Sequence, residues 1–526
     1  MTSGKDRTTM GKTTKEDERK YSMSKFHSIV SRRDFMKGLG LVSAGLGGAT
    51  ALSPAFHDLD EMMQTGVSTR KRAWWVKEVD EPTVEIDWSL MKPHYSYQTQ
   101  SAALVAQYVG VEKYNAMTRS EKSDSDRLKA NEPGYRLKDH ALSGANAGLR
   151  IATVAQKFGQ LTGIQTPEQR GVPKWTGTPE EGTIMLRSAM VFFGAADIAT
   201  AELDDHHRKL LGITGENPGI TYWDKQPPTT VTKPVVFSQT DTSFRWDSTT
   251  GITYLPNKPL YNVCYLIPQD NDLNRMRPTV LGRLTQTRYR LREVPRACTQ
   301  AFITGLGYES MHDEPYRWNP SNAGAVLGGL TENARHTIMS ISPEYGAFGG
   351  YFDFLTTLPI AHTKPIDAGI WRMCQSCGLC ADYCPSGSIE KKGESQPTWE
   401  GPKPSSVGPK VYQLPWEGIR SSGEWAKLGR KTFWTDMPSS QIYQRSVGVC
   451  NVCWGHCVFN GANSAMIHQV VKATAANTGL FNSFFANMHD IMGYGLKEGE
   501  AVEQWWHSSL PAYGFDSTMY ARDMGY

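Results

Sequence analysis

Seven of the nine cysteines in this 526-residue chain fall in two short runs. The first is Cys374-Gln375-Ser376-Cys377-Gly378-Leu379-Cys380-Ala381-Asp382-Tyr383-Cys384-Pro385, a C-x2-C-x2-C-x3-C-P arrangement. Three thiolates at that spacing wrap one iron–sulfur cube, the fourth reaches a second cluster, and the proline turns the chain away. A zinc site would instead bring two C-x2-C pairs separated by a longer loop. The second run, Cys450-Asn451-Val452-Cys453-Trp454-Gly455-His456-Cys457, has the last three positions of the same arrangement. It lacks the first cysteine, due near Val447, and Val458 replaces the closing proline. If each run lends its last cysteine to the other's cluster, Cys374, Cys377, Cys380 and Cys457 hold a complete 4Fe-4S cluster. Cys384, Cys450 and Cys453 then hold a second, either 3Fe-4S or 4Fe-4S with a ligand other than these three. His456 is a conceivable substitute ligand, and Cys264 or Cys298 could swing in, although a lone cysteine is more often a small buried hydrophobe.

The rest of the chain must fold these runs and deliver them to their compartment. Its length allows two or more domains with real cores. Net charge is +3, but residues 1–51 carry 10 Lys or Arg against 5 Asp or Glu, so the body is near neutral. Nucleic-acid partners, which require a basic face, are excluded on that ground. Residues 1–22 are polar and charged. Ser31-Arg32-Arg33-Asp34-Phe35-Met36-Lys37 follows, then the mildly apolar Gly38–Ala51 with a small-x-small site at Ala49-Thr50-Ala51. That order reads as a twin-arginine export signal, with translation starting at Met1 or at Met23. The route carries folded proteins, as metal centres loaded in the cytoplasm would need. No stretch offers the ~20 apolar residues of a spanning helix, so membrane attachment would come from a partner.

Residues 52–172 carry aromatic anchors at Trp74-Trp75 and Trp88 and a charged run, Arg119–His140, that reads as a solvated face. Thr178-Pro179-Glu180-Glu181 is a capping box with proline at the first helical position. It predicts a helix to about Phe193, buried through Met185, Ala189, Phe192 and Phe193, and then a strand over Ala195–Leu203. Residues 213–260 read as loops and edge strands, and Tyr261–Pro268 as a buried strand. A helix is expected from Tyr289 to Thr304, closing at Gly305-Leu306-Gly307-Tyr308. Gly324, Gly328 and Gly329 imply a close backbone approach. No G-x-G-x-x-G, Walker loop, G-x-S-x-G elbow or H-E-x-x-H occurs, which argues against nicotinamide and nucleoside triphosphate as cofactors. The clusters must therefore feed some other acceptor.

Taken together, Arg32-Arg33, the two cysteine runs and several stretches between them resemble the corrinoid-dependent reductive dehalogenases of organohalide-respiring bacteria. The stretches are Pro173-Lys174-Trp175 with Gly177-Thr178-Pro179-Glu180, Leu306-Gly307-Tyr308, Gly328-Gly329-Leu330-Thr331-Glu332 with Arg335, and Ser342-Pro343-Glu344-Tyr345-Gly346. Leu358-Pro359-Ile360-Ala361, Lys364-Pro365-Ile366-Asp367-Ala368-Gly369 and Phe481-Asn482 with Phe484-Phe485 and Asn487-Met488 add to them. The likeness is nearest the respiratory chloroethene-type catalytic subunits. It implies an α+β fold: a nitroreductase-like corrinoid-binding core over residues 173–365, and a two-cluster bacterial ferredoxin-type domain over 366–461. The export leader is then 1–51, an N-terminal arm region 52–172, and a C-terminal extension packing on the core 462–526.

The resemblance also implies a base-off cobalamin, a chlorinated substrate of chloroethene or chloroaromatic type, and anaerobic organohalide respiration. The expected place is the outer face of the cytoplasmic membrane, held peripherally by a small integral-membrane anchor protein and fed by an electron-donating respiratory complex. Its proton donor maps to Tyr289, with Arg335 or Arg288 as the neighbouring cation and Asn319 or Asn322 orienting it. Gly346-Ala347-Phe348-Gly349-Gly350 lacks an arginine expected nearby. Two other readings compete. One is an exported two-cluster electron carrier without catalysis, which bound cobalt would exclude. The other is a corrinoid reductase of the epoxyqueuosine type, against which the export signal and the missing basic face argue.

Overall fold

The structure, a computed structural model, describes residues 72–93, 123–143, 164–214, 233–312, 321–393, 395–400, 428–436, 440, 443–444, 450–461 and 466–508. The export leader and Asn319 lie outside these residues. The chain divides into two compact units, Met1–Thr65 with Asn487–Tyr494, and Gly66–Ala486 with Gly495–Tyr526. Of the first, only Asn487–Tyr494 is described; everything below concerns the second.

Its centre is an antiparallel sheet of β1 (Asp197–Glu202), β2 (Tyr261–Pro268), β3 (Ser310–Met311) and β4 (Gly349–Thr356), in the order β1-β2-β4-β3. β2 and β4 pair along their whole length, Tyr261 opposite Thr356 and Pro268 opposite Gly349. β2 reads Tyr-Asn-Val-Cys-Tyr-Leu-Ile-Pro, and all but its first residue are buried. A near-continuous apolar run of this kind marks a strand covered on both faces. One face, through Val263, Tyr265, Ile267 and Phe354, packs on Leu186, Met190 and Ile303. These come from α1 (Pro179–Phe192) and from a later helix, Glu293–Gly305. Cys264, Leu266 and Tyr351 on the other face meet Ala325 and Leu330.

α1 starts at the expected capping box, Thr178 accepting from the Glu181 N–H while the Glu181 carboxylate accepts from the Thr178 N–H. Its buried face differs from the expected one. Gly182, Thr183, Leu186 and Met190 face inward, and Phe192 is 85% exposed. The inward stripe is set by Leu186 and Met190 against β2, one turn apart, and the bulky end of the helix overshoots the sheet.

Further along come α2 (Asn271–Asn274), α3 (Thr287–Leu291), α4 (Glu293–Gly305) and α5 (Ser321–Leu327). The single helix expected from Tyr289 is two, α3 and α4, meeting at Arg292. Two stretches of the resemblance hold each other: Trp175 donates its N–H to the Leu306 carbonyl at 3.0 Å, and the Tyr308 hydroxyl donates to the Trp175 carbonyl at 2.9 Å. The close approach at the glycines is to the sheet. A Cβ on Gly324 would stand 2.8 Å from Asn262 Nδ2, and one on Gly328 2.5 Å from Ala199 Cβ. The loops over 213–260 hold a small separate sheet of Val235–Phe237, Thr253–Leu255 and Arg245–Trp246. The charged run is only partly a solvated face. Asp139 is buried and accepts from the Trp506 indole N–H at 2.8 Å, and Arg136 pairs with Glu503 at 2.8 Å.

The remaining helices carry the cysteines: α6 (Ile370–Ser376), α7 (Leu379–Asp382) and α8 (Val452–Gly455), followed by α9 (Met466–Asn477). Because the sheet is covered on both faces, truncating its centre leaves a cavity with little room to relax. Phe354→Ala, at a side chain with no exposure, should cost about 3–5 kcal/mol in urea unfolding. A loss below about 1 kcal/mol would show that Phe354 is not central to the core.

Candidate functional site

The cysteine helix α6 is gripped at both ends by one short stretch, Glu332-Asn333-Ala334-Arg335. The Glu332 carboxylate accepts from the backbone N–H groups of Ala368 at 2.7 Å, Ile370 at 3.1 Å and Trp371 at 3.4 Å, and from the Thr83 hydroxyl at 2.6 Å. These include donors that a helix start leaves without internal partners. The Arg335 guanidinium donates to the carbonyls of Cys374 (2.9 Å), Gln375 (3.1 Å) and Glu390 (2.9 Å) and lies 3.6 Å from the Phe433 ring centroid. Arg335 is thus not the cation beside Tyr289 that the family pattern suggested. Its donors are committed to the cysteine loop.

The seven cysteines sort into two electrostatic groups. The charges of Cys374 and Cys377 oppose ionisation of Cys380 and of Cys457. Cys384 opposes ionisation of Cys450, and both oppose that of Cys453. This is the exchange of last cysteines expected from the two runs. Burial pushes the thiols up, Cys377 to about 11 and Cys374 and Cys450 to about 12. A metal that displaces their protons would reverse that preference. Among the described residues no three His, Cys, Asp or Glu side chains converge on a single ion. A cluster, whose ligands stand around a cube rather than one atom, does not need them to. Cys264 is not drawn towards either group: it sits in β2 and its thiol donates to the Ser321 carbonyl at 3.2 Å. Cys298 is in α4. His456 stacks on Tyr383, ring centroids 3.7 Å apart and planes within 5°.

Tyr289 lies on α3 beside Arg288. Arg288 Nη2 donates to the Tyr289 hydroxyl at 3.3 Å and Nη1 to Gln269 Oε1 at 3.0 Å. Phe352 meets the Tyr289 ring edge-on at 5.6 Å, and the Arg292 guanidinium is 5.1 Å from its centroid. The Arg288 side chain runs over Gly350 of β4, where a Cβ would stand 2.3 Å from Arg288 Cδ. Only glycine leaves it that path. Of the two orienting residues expected, Asn322 starts α5 with its amide on the Ile338 carbonyl at 3.4 Å, and Asn319 is not described.

Trp454 joins these two regions, and sequence reasoning missed it. It follows Cys453 in α8 and is buried, with the Arg288 guanidinium 5.1 Å and the Arg277 guanidinium 5.9 Å from its ring. Asn460 ties α8 to the sheet, its amide donating to the Trp454 carbonyl at 2.5 Å while its Oδ1 accepts from the Ala347 N–H at 2.9 Å. Around this corner Gln269 Nε2, both side-chain polar atoms of Asn274 and Trp454 Nε1 are buried with no hydrogen-bond partner among the described residues. Orphaned polar atoms at this density call for a polar occupant. The only sequence signal was a tryptophan inside a cysteine run.

A family model described as a reductive dehalogenase subunit matches residues 71–360. A chloroethene reductive dehalogenase of Dehalococcoides mccartyi (strain VS) is 30% identical over 94% of this chain and 99% of its own length. A trichloroethene reductive dehalogenase of Dehalococcoides mccartyi (strain ATCC BAA-2266 / KCTC 15142 / 195) is 28% identical over 93% and 98%. Among solved structures, a catabolic reductive dehalogenase shares the fold with a TM-score of 0.52 at 14% identity. That match covers 80% of this chain and 49% of the other, so the chain spans about half the solved protein's length. The chain belongs to the reductive dehalogenase family, corrinoid-dependent enzymes that act on carbon–halogen bonds.

Two predictions follow from the grip on α6. Burial raises the Glu332 carboxyl to about 7, against the opposing pull of Thr83, Ala368 and Ile370. With the folded value above the unfolded one, its contribution to stability is full below about 4.5 and is lost as pH rises through about 7. Glu332→Gln should flatten the fall in urea midpoint between pH 5 and 8; an unchanged slope would assign that fall to other groups. Arg335→Met should lower iron retained on reconstitution by about half, since one of two cysteine groups loosens. Arg335→Lys should rescue it poorly, because one ammonium cannot span three carbonyls as a guanidinium does. Full iron in Arg335→Met would refute the grip.

Proposed function

We propose that this chain is the catalytic subunit of a respiratory reductive dehalogenase, removing halogen from a chlorinated compound of chloroethene or chloroaromatic type. The observation that carries the reading is the joining of a cysteine group, through Trp454 and Arg288, to a tyrosine hydroxyl. The residues fit the groups the family implies. Seven buried free thiols in two sets suit two iron–sulfur clusters, one 4Fe-4S and one 4Fe-4S or 3Fe-4S. The orphaned atoms of Gln269, Asn274 and Trp454 suit the amide-fringed rim of a base-off corrinoid.

When bound, the clusters and the corrinoid supply the electron pair that breaks the carbon–halogen bond. The chain's own residues handle the proton and the water. The Tyr289 hydroxyl, protonated at neutral pH like any ordinary phenol, delivers a proton to the carbon that loses halide. Arg288 holds that oxygen at 3.3 Å and stabilises the phenolate left behind. Gln269 fixes the guanidinium by taking its other arm. Phe352 closes the ring edge of Tyr289 and keeps that side apolar, as a chlorinated hydrocarbon with few hydrogen-bonding groups requires. Asn319 is proposed to orient the donor. Arg335 serves α6 and has no part in the proton transfer.

The fold reading is a nitroreductase-like core over 173–365 and a ferredoxin-type domain over 366–461. The four-stranded sheet and both cysteine runs support these boundaries. Residues 1–51 would export the chain, folded, to the outer face of the cytoplasmic membrane. There a small integral-membrane protein would anchor it and a respiratory complex supply electrons. Among the described residues no helix is long and apolar enough to cross a membrane.

Metal analysis of anaerobically reconstituted protein should find about one cobalt with roughly seven to eight iron, together with chloride release from a chloroethene under a low-potential reductant. Iron without cobalt after corrinoid loading would leave an electron carrier. Tyr289→Phe should lower kcat by about 10²–10⁴-fold with metal content unchanged; wild-type turnover in that variant would remove Tyr289 from the proton transfer.

A further inference from the structure

The two cysteine groups differ in charge. The four-cysteine group brings four thiolates, the other three. Each group has two buried cations. Arg335 and Lys472 serve the first, Arg335 through the carbonyls of its loop and Lys472 through the Pro343 carbonyl at 3.1 Å; both favour ionisation of its thiols. Arg277 and Arg288 serve the second from either side of the Trp454 ring. They are 1% and 7% exposed, so solvent screens them little. The nearby acids also differ. Glu332 and Asp382 oppose ionisation at Cys374 and Cys377, whereas Arg277 favours it at Cys450. Arg277 is held there by packing: α2 lies against α8, with the Asn274 carbonyl 3.1 Å from where a Gly455 Cβ would stand.

Adding an electron to a cluster adds negative charge, so a site with fewer thiolates and unopposed cations accepts it more readily. We propose that Arg277, with Arg288 across the Trp454 ring, makes the three-cysteine group the more easily reduced of the two. This sets the direction of electron movement from the four-cysteine group towards Tyr289. Arg277 is a positioning residue in this scheme, acting through its charge and touching no substrate. Each transfer moves one electron: the four-cysteine site is oxidised, the three-cysteine site reduced, and no bond or proton changes hands. A low-potential one-electron donor then refills the first site. The inference rests on reading the cysteine groups as iron–sulfur sites, and needs neither corrinoid nor halogenated substrate.

The test is a redox titration of the full chain, reconstituted anaerobically with iron and sulfide, poised with titanium(III) citrate and read by electron paramagnetic resonance. The unmodified chain should show two midpoints, and Cys384→Ala should abolish the higher one. Arg277→Met should make the same centre at least tenfold harder to reduce, a shift of 59 mV to lower potential for one electron. The lower midpoint should stay in place, and Arg277→Lys should recover most of the shift. Loss of the lower midpoint in Cys384→Ala overturns the proposal, and does so even if Arg277→Met fails to accumulate. Unmoved midpoints in Arg277→Met, or equal shifts in both, overturn it as well. Two signals with such outcomes would leave the iron–sulfur reading intact. No cluster signal from the unmodified chain would remove that reading and this inference together.

Discussion

The interaction on which the rest depends is the hold of Glu332 and Arg335 on a seven-residue helix. A helix so short has no stability of its own. Its N–H groups end on one buried carboxylate and its last carbonyls on one buried guanidinium, three residues apart in the chain. Cys374 is thereby fixed before any metal contributes. The same stretch reaches Thr83 on one side and the Glu390 carbonyl on the other. One loop therefore sets the N-terminal arm, the cysteine helix and the segment after the first cysteine run in register.

The sheet does the corresponding work for the other half of the site. β2 and β4 are covered on both faces, so the residues at their ends are placed by a packed interior rather than by loop conformation. Gly350 at the head of β4 leaves a channel for Arg288, and Asn460 stitches the β4 approach to α8. The result is a continuous path of contacts from Cys453 through Trp454 and Arg288 to Tyr289, with no gap that solvent must fill.

The cysteine spacing made both groups legible in the sequence, including the exchange of Cys384 and Cys457, because cluster ligation imposes fixed intervals. β2 was legible to the residue, since a strand buried on both faces is an unbroken apolar run. The buried face of α1 was not. Phe192 and Phe193 look like core residues by type, yet the stripe is fixed by which turn meets the sheet, and that is a tertiary fact. Arg335 was misread for a related reason: a buried arginine announces a partner but not which one, and its carbonyl acceptors carry no side-chain signal. Arg277 and Trp454 are silent in sequence because their significance lies in a stacking arrangement between distant segments.

The stacking of Tyr383 on His456 brings together residues that flank Cys384 and Cys457, the last cysteines of the two runs. Neither group can be completed from one run alone, since each borrows from the other. A ribosome therefore releases the entire segment through Cys457 before either set of ligands is whole. Maturation is set by the order of synthesis: the grip of Glu332 and Arg335 precedes the first cysteines, and the closing thiol arrives last. A chain interrupted between the runs would present half-built sites, a natural checkpoint for any machinery that commits only finished molecules to their destination.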